Sequence, residues 1–164
     1  MQGQTHASGD HSVEFTTVLG SCVAACLYDP LARVGGMNHF LLATPAAQNG
    51  VPDAAYGLFL MEVLVNEMLK RGATRNGMRA HLYGGANLGP TTRRIGSVNS
   101  AFARRFLEVE GIQLIHADLG GNAARRLDFR PAQGRARCRI VAESPPEASP
   151  QRFSPSAVGV VELF

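Results

Sequence analysis

Two kinds of apolar pattern alternate along the chain. Residues 22–28, reading CVAACLY, are apolar at nearly every position, and residues 34–42, reading VGGMNHFLL, are interrupted by only two polar side chains, Asn38 and His39. Short continuous runs of this kind predict strands covered on both faces. Residues 15–19, 78–83, 112–116, 124–130, 135–143 and 158–164 predict further strands. A different spacing follows Asp53, a residue suited to cap a helix. Leu58, Met61, Leu64, Val65 and Met68 recur at helical intervals up to Lys70, and Gly72 supplies a left-handed stop. A second helix is predicted from near Ser97 or Asn99, with Phe102, Phe106 and Leu107 on one side and Gly111 at its end. Between these elements lie a loop at 43–52, a glycine-rich loop GGANLG at 84–89, and a Pro/Ser-rich exposed loop at 144–157. Residues 1–12 are polar and read as a flexible arm. About eight strands and two helices without strict alternation predict one α+β domain over 13–164, built in layers.

The turn DPLAR at 29–33 makes a hairpin of the first two buried runs. A turn centred between Pro30 and Leu31 sets Cys22 opposite His39. A turn one or two residues longer sets Cys22 opposite Phe40 or Leu41, still beside His39. Directly opposed side chains have Cβ atoms about 4.5–5.5 Å apart, and diagonal ones about 7–8 Å. Either arrangement brings an imidazole to a thiol, the pairing that activates a cysteine nucleophile and later protonates its leaving group. The preceding corner, Gly20-Ser21, offers backbone N–H groups with little side chain around them, suited to a developing oxyanion. Thr16 precedes the corner, and its hydroxyl is a candidate to orient the imidazole. The competing view is that a free cysteine fills core space, and Cys26 and Cys138 are read that way. On a strand Cys22 and Cys26 share a face but lie about 13 Å apart, which excludes a disulfide or a shared zinc between them.

Composition narrows the setting. The 164 residues include 45% hydrophobic and 18% charged side chains, ordinary for a globular domain. The net charge of +3 is carried almost wholly by arginine, with Lys70 the single lysine. Arginine pairs at 93–94, 104–105 and 125–126 are not interleaved with aromatic residues, which argues against nucleic acid and suits an acidic protein partner. Three cysteines at irregular spacing make no disulfide framework. With no evident signal peptide and no apolar run of membrane-spanning length, a cytoplasmic location is expected.

The stretch LGSCVAACLYDP at 19–30, followed by VGGMNHFLL at 34–42, resembles the signature of the CheD family, the chemoreceptor glutamine deamidases. The resemblance continues through YGGAN at 83–87, Ile95-Gly96, Asn99, Gly111-Ile112 and DLGGNAARR at 118–126, with Phe129 and Gly134, and covers roughly 14–143. It implies hydrolysis of selected glutamine side chains to glutamate on methyl-accepting chemotaxis receptors, with release of ammonia. The site it implies is Cys22, His39 and Thr16, with no metal or organic cofactor. It implies a layered α/β sandwich with mixed sheets, similar to cytotoxic necrotizing factor-type deamidases, and in some bacteria a CheC-type phosphatase as a further partner. The chain departs from the family's usual pattern at Ala43, Leu58 and Val98, outside the proposed triad. The alternative is a non-catalytic adaptation module that acts by docking to a receptor or a CheC-type phosphatase.

Overall fold

Strands buried on both faces and strands with an alternating pattern separate into two sheets. A computed structural model of the chain describes residues 3–42, 54–89 and 94–141. In chain order these form β1 (Thr5–Ser8), β2 (Phe15–Leu19), β3 (Val23–Asp29), β4 (Val34–Phe40), α1 (Ala54–Lys70), β5 (Arg79–Gly84), α2 (Ile95–Val109), β6 (Gln113–Leu119), β7 (Arg125–Arg130) and β8 (Arg135–Ile140). One sheet has five strands in the order β1-β4-β3-β5-β6, and the other has three in the order β2-β7-β8. The larger sheet is mixed: β5 and β6 run parallel and its other neighbours antiparallel. The smaller is antiparallel throughout. The predicted loop at 43–52, the Pro/Ser-rich loop at 144–157 and the last strand at 158–164 fall outside the described residues.

Both faces of the five-stranded sheet are covered, which is why β3 and β4 read as nearly unbroken apolar runs. One face carries Val23, Ala25, Leu27, Phe40 and Leu82 and packs on Leu60, Met61, Leu64 and Met68 of α1 and Ala103, Phe106 and Leu107 of α2. The other face carries Ala24, Cys26, Met37 and Tyr83 and packs on Leu19, Leu127 and Phe129 of the small sheet. Helices, large sheet and small sheet are thus three layers, a mixed-sheet α/β sandwich. Each fully buried Leu, Met or Phe contributes about 1.5–3 kcal/mol to holding them. The small sheet, open to solvent on its outer face, keeps the alternation of buried and exposed residues along β2 and β7. Arg125 ties the sandwich across its edge, donating to Asp118 at 2.8 Å and to the Gly120 carbonyl at 2.8 Å.

Three sequence expectations change. Residues 5–8 are not part of a loose arm: β1 pairs with β4 from Thr5↔Asn38 to Ser8↔Gly35. In α1 the inward positions are Gly57, Leu60, Met61, Leu64, Val65 and Met68, whereas Leu58 is exposed. The β3–β4 register is set by a longer turn, in which Asp29 pairs with Val34 and residues 30–33 form the loop. The Asp29 carboxylate accepts the Leu31 and Ala32 N–H groups at 2.9 and 3.0 Å, and Arg33 adopts a left-handed φ of 55°. Asp29 also accepts the Thr74 N–H at 2.9 Å. Burial works against this carboxylate, but the hydrogen bonds from Thr74, Ala32 and Leu31 prevail and hold its pKa below the usual value.

Candidate active site

With the turn lengthened, His39 lies opposite Ala24, and Cys22 is two residues further along, just before β3 begins. Because strand side chains alternate, two residues along means the same face. Cys22 packs against the cluster of Ala24, Cys26 and Met37, on the side of the small sheet. Asn38, the residue before His39, points the other way, donating to the Leu60 carbonyl at 3.2 Å. The longer turn therefore makes Cys22 and His39 a diagonal rather than a directly opposed pair.

The imidazole is anchored at one nitrogen. His39 is 8% exposed, and its Nδ1 lies 3.0 Å from the Thr17 hydroxyl. Nε2 is buried without a hydrogen-bond partner among the described residues. The expected orienting residue, Thr16, is not the one that meets the ring: its hydroxyl donates to Asp128 at 3.0 Å. The alternation of β2 explains the difference. Thr17 and Leu19 face the large sheet, while Thr16 and Val18 face outward. The Gly20-Ser21 bend separates β2 from β3, so counting residues back from Cys22 does not say which threonine faces in.

Burial pushes the Cys22 thiol up to about 11 and the His39 imidazole down to about 4. At neutral pH the resting pair is a neutral thiol and a neutral imidazole rather than a preformed ion pair. Cys26 is fully enclosed, and burial raises its thiol pKa further still.

The corner that carries Cys22 is held by its carbonyls. The Gly20 carbonyl accepts the Ala86 N–H at 2.8 Å, and the Cys22 carbonyl accepts the Gly85 N–H at 2.7 Å. The Ser21 carbonyl accepts the Asn99 side-chain amide at 2.8 Å. The glycine-rich loop must approach closely for this: a Cβ on Gly84, whose φ is 106°, would lie 2.2 Å from the Cys22 carbonyl oxygen. In a planar trans peptide the N–H points opposite to the carbonyl. Anchoring the Gly20 and Ser21 carbonyls therefore turns the Ser21 and Cys22 N–H groups away from the loop and α2. Thr17 and Asn99 are the two side chains sequence reasoning did not place at the site. Asn99 had a visible signal, a polar residue on the stripe of α2 that also carries Ile95, Gly96, Ala103, Phe106 and Leu107.

A thiol at the mouth of one strand and an imidazole on the neighbouring strand, beside a bend of tethered carbonyls, define a candidate cysteine–histidine centre on a layered α/β sandwich. Residues 41–140 match the family model CheD, described as chemotactic sensory transduction. The chain is 54% identical over 148 residues to a protein of Zymomonas mobilis subsp. mobilis, covering 89% of this chain and 81% of that one. It is 46% identical over 169 residues to one of Caulobacter vibrioides, covering 99% and 90%, and 45% identical over 173 residues to one of Acidiphilium cryptum, covering 100% and 91%. All three are named probable chemoreceptor glutamine deamidase CheD. The chain belongs to the CheD family. The family model begins after His39, but the Caulobacter match takes in 99% of the chain and so includes both Cys22 and His39.

Proposed function

We propose that this chain is a protein-glutamine deamidase that hydrolyses glutamine side chains of chemoreceptors to glutamate, with Cys22 as nucleophile and His39 as acid and base. The observation that carries the reading is the shared face of Cys22 and His39, with Nδ1 of the ring held by Thr17 and Nε2 left for the reaction. The names of the relatives support the substrate class. In the tautomer whose Nδ1–H donates to the Thr17 oxygen, Nε2 keeps a lone pair and serves as the base.

The neutral resting pair requires proton transfer during attack. Nε2 takes the thiol proton as sulfur adds to the carboxamide carbon, and the Ser21 and Cys22 N–H groups of the Gly20-Ser21 bend hold the resulting oxyanion. The imidazolium returns the proton to the amide nitrogen, the C–N bond breaks, and ammonia leaves a thioester. Water then gives a proton to Nε2 and adds to the thioester carbon, and sulfur departs and is reprotonated, leaving glutamate. The site would work on receptor segments in the cytoplasm. Among the described residues no helix is long and apolar enough to cross a membrane.

The test is ammonia release, with mass mapping, from a purified receptor cytoplasmic fragment. Wild-type protein should yield a slightly heavier receptor, and Cys22→Ala and His39→Ala should yield none. Wild-type protein that binds the fragment and leaves its mass unchanged would support the docking-only module instead.

A further inference from the structure

We propose that Asn99 is a positioning residue of this centre: from α2 it fixes the peptide plane that aims the Cys22 N–H at the oxyanion. The inference rests on the Cys22–His39 reading above and adds a residue to it.

Asn99 is 0% exposed, in the middle of a helix, where an asparagine lowers helix propensity and an unsatisfied amide is costly. Both ends of its amide are used. Nδ2 donates to the Ser21 carbonyl at 2.8 Å, and Oδ1 accepts the Leu42 N–H at 3.0 Å. A carbonyl only accepts and a backbone N–H only donates, so the orientation of the amide is unambiguous. One side chain thus joins the residue before Cys22 to the chain just past the strand that carries His39.

The seat of Asn99 is stiff. A Cβ on Gly96, one turn earlier in α2, would lie 2.3 Å from the Gly85 carbonyl oxygen. Helix α2 therefore rests directly on the loop whose N–H groups hold the Gly20 and Cys22 carbonyls. The Ser21 carbonyl and the Cys22 N–H belong to the same rigid peptide, so the bond from Asn99 sets the direction of that N–H.

An oxyanion role makes a specific kinetic demand. A loosened Cys22 peptide weakens the tetrahedral intermediate of amide hydrolysis. It has little effect on alkylation of the thiol by iodoacetamide, which forms no oxyanion. Asn99→Leu, similar in size, and Asn99→Ala, a milder truncation should the first not fold, are compared with wild type on the receptor fragment. Leu64→Ala in α1 serves as a destabilised control, and Cys22→Ala as a test of the centre. The expected result for the Asn99 variants is a kcat lowered by about 100-fold, the scale of losing one oxyanion donor. KM and the Cys22 alkylation rate should stay near wild type, and Leu64→Ala should keep its kcat. An unchanged kcat in the Asn99 variants, with Cys22→Ala inactive, overturns this inference alone. So does a parallel fall in kcat and alkylation, which marks general loss of site structure. Activity in Cys22→Ala overturns the centre and this inference with it.

Discussion

Acid should destabilise this protein through one buried imidazole. His39 is held neutral in the fold, with burial lowering its pKa from 6.5 to about 4. In the unfolded chain it titrates near 6.5. Between these values the unfolded state binds the proton and the native state does not, so stability falls as pH falls. The contribution is fully present above about pH 6.5 and fully lost below about pH 4. The interval of roughly 2.5 units corresponds to about 3 kcal/mol, of which about 2 kcal/mol is gone by pH 5. Urea unfolding of wild type and His39→Asn from pH 8 to pH 4 isolates the effect. His81, also lowered by burial and by the nearby His116, titrates in both proteins and cancels in the difference. The carboxylates of Asp29, Asp118 and Asp128, held below their usual values, cancel in the same way. Wild type should lose about 2 kcal/mol more than His39→Asn between pH 8 and pH 5. Parallel curves would show that the native imidazole protonates as readily as in water, and would refute the buried neutral base.

The remaining expectations concern the bend and its supports. Thr17→Val should lower kcat for deamidation about tenfold, the worth of one hydrogen bond, whereas Thr16→Val should leave it near wild type; the reverse order in an ammonia-release assay would return the orienting role to Thr16. Iodoacetamide should label Cys22 and leave the enclosed Cys26 unlabelled, and Cys26→Ala should retain ammonia release; peptide mapping and activity of the variant check both. Gly96→Ala forces a methyl against the Gly85 carbonyl and should cost about 2 kcal/mol, lowering Tm by about 6 °C in thermal unfolding.

The central strands were legible because enclosure on both faces leaves a signal in composition itself: VAACL and the VGGMNHF run have few polar residues to misplace. The two long helices were legible from their period, although the pattern turned Leu58 inward where Gly57 and Leu60 face the core. That the segments carrying Cys22 and His39 lie side by side followed from chain connectivity, since a short turn forces the two runs together, whereas their shared face depends on the turn's length. What the chain pattern left open was decided by contacts between residues far apart in sequence. Strand β1 is short and polar and exists because β4 offers it an edge. The choice of Thr17 over Thr16 depends on which face of β2 meets the large sheet, and packing of the two layers decides that. Asn99 reaches Ser21 across 78 positions only once α2 has settled on the glycine loop. Local pattern determines which segments are strand or helix, because that depends on near neighbours. It does not determine which side chains converge, because that depends on how the layers stack.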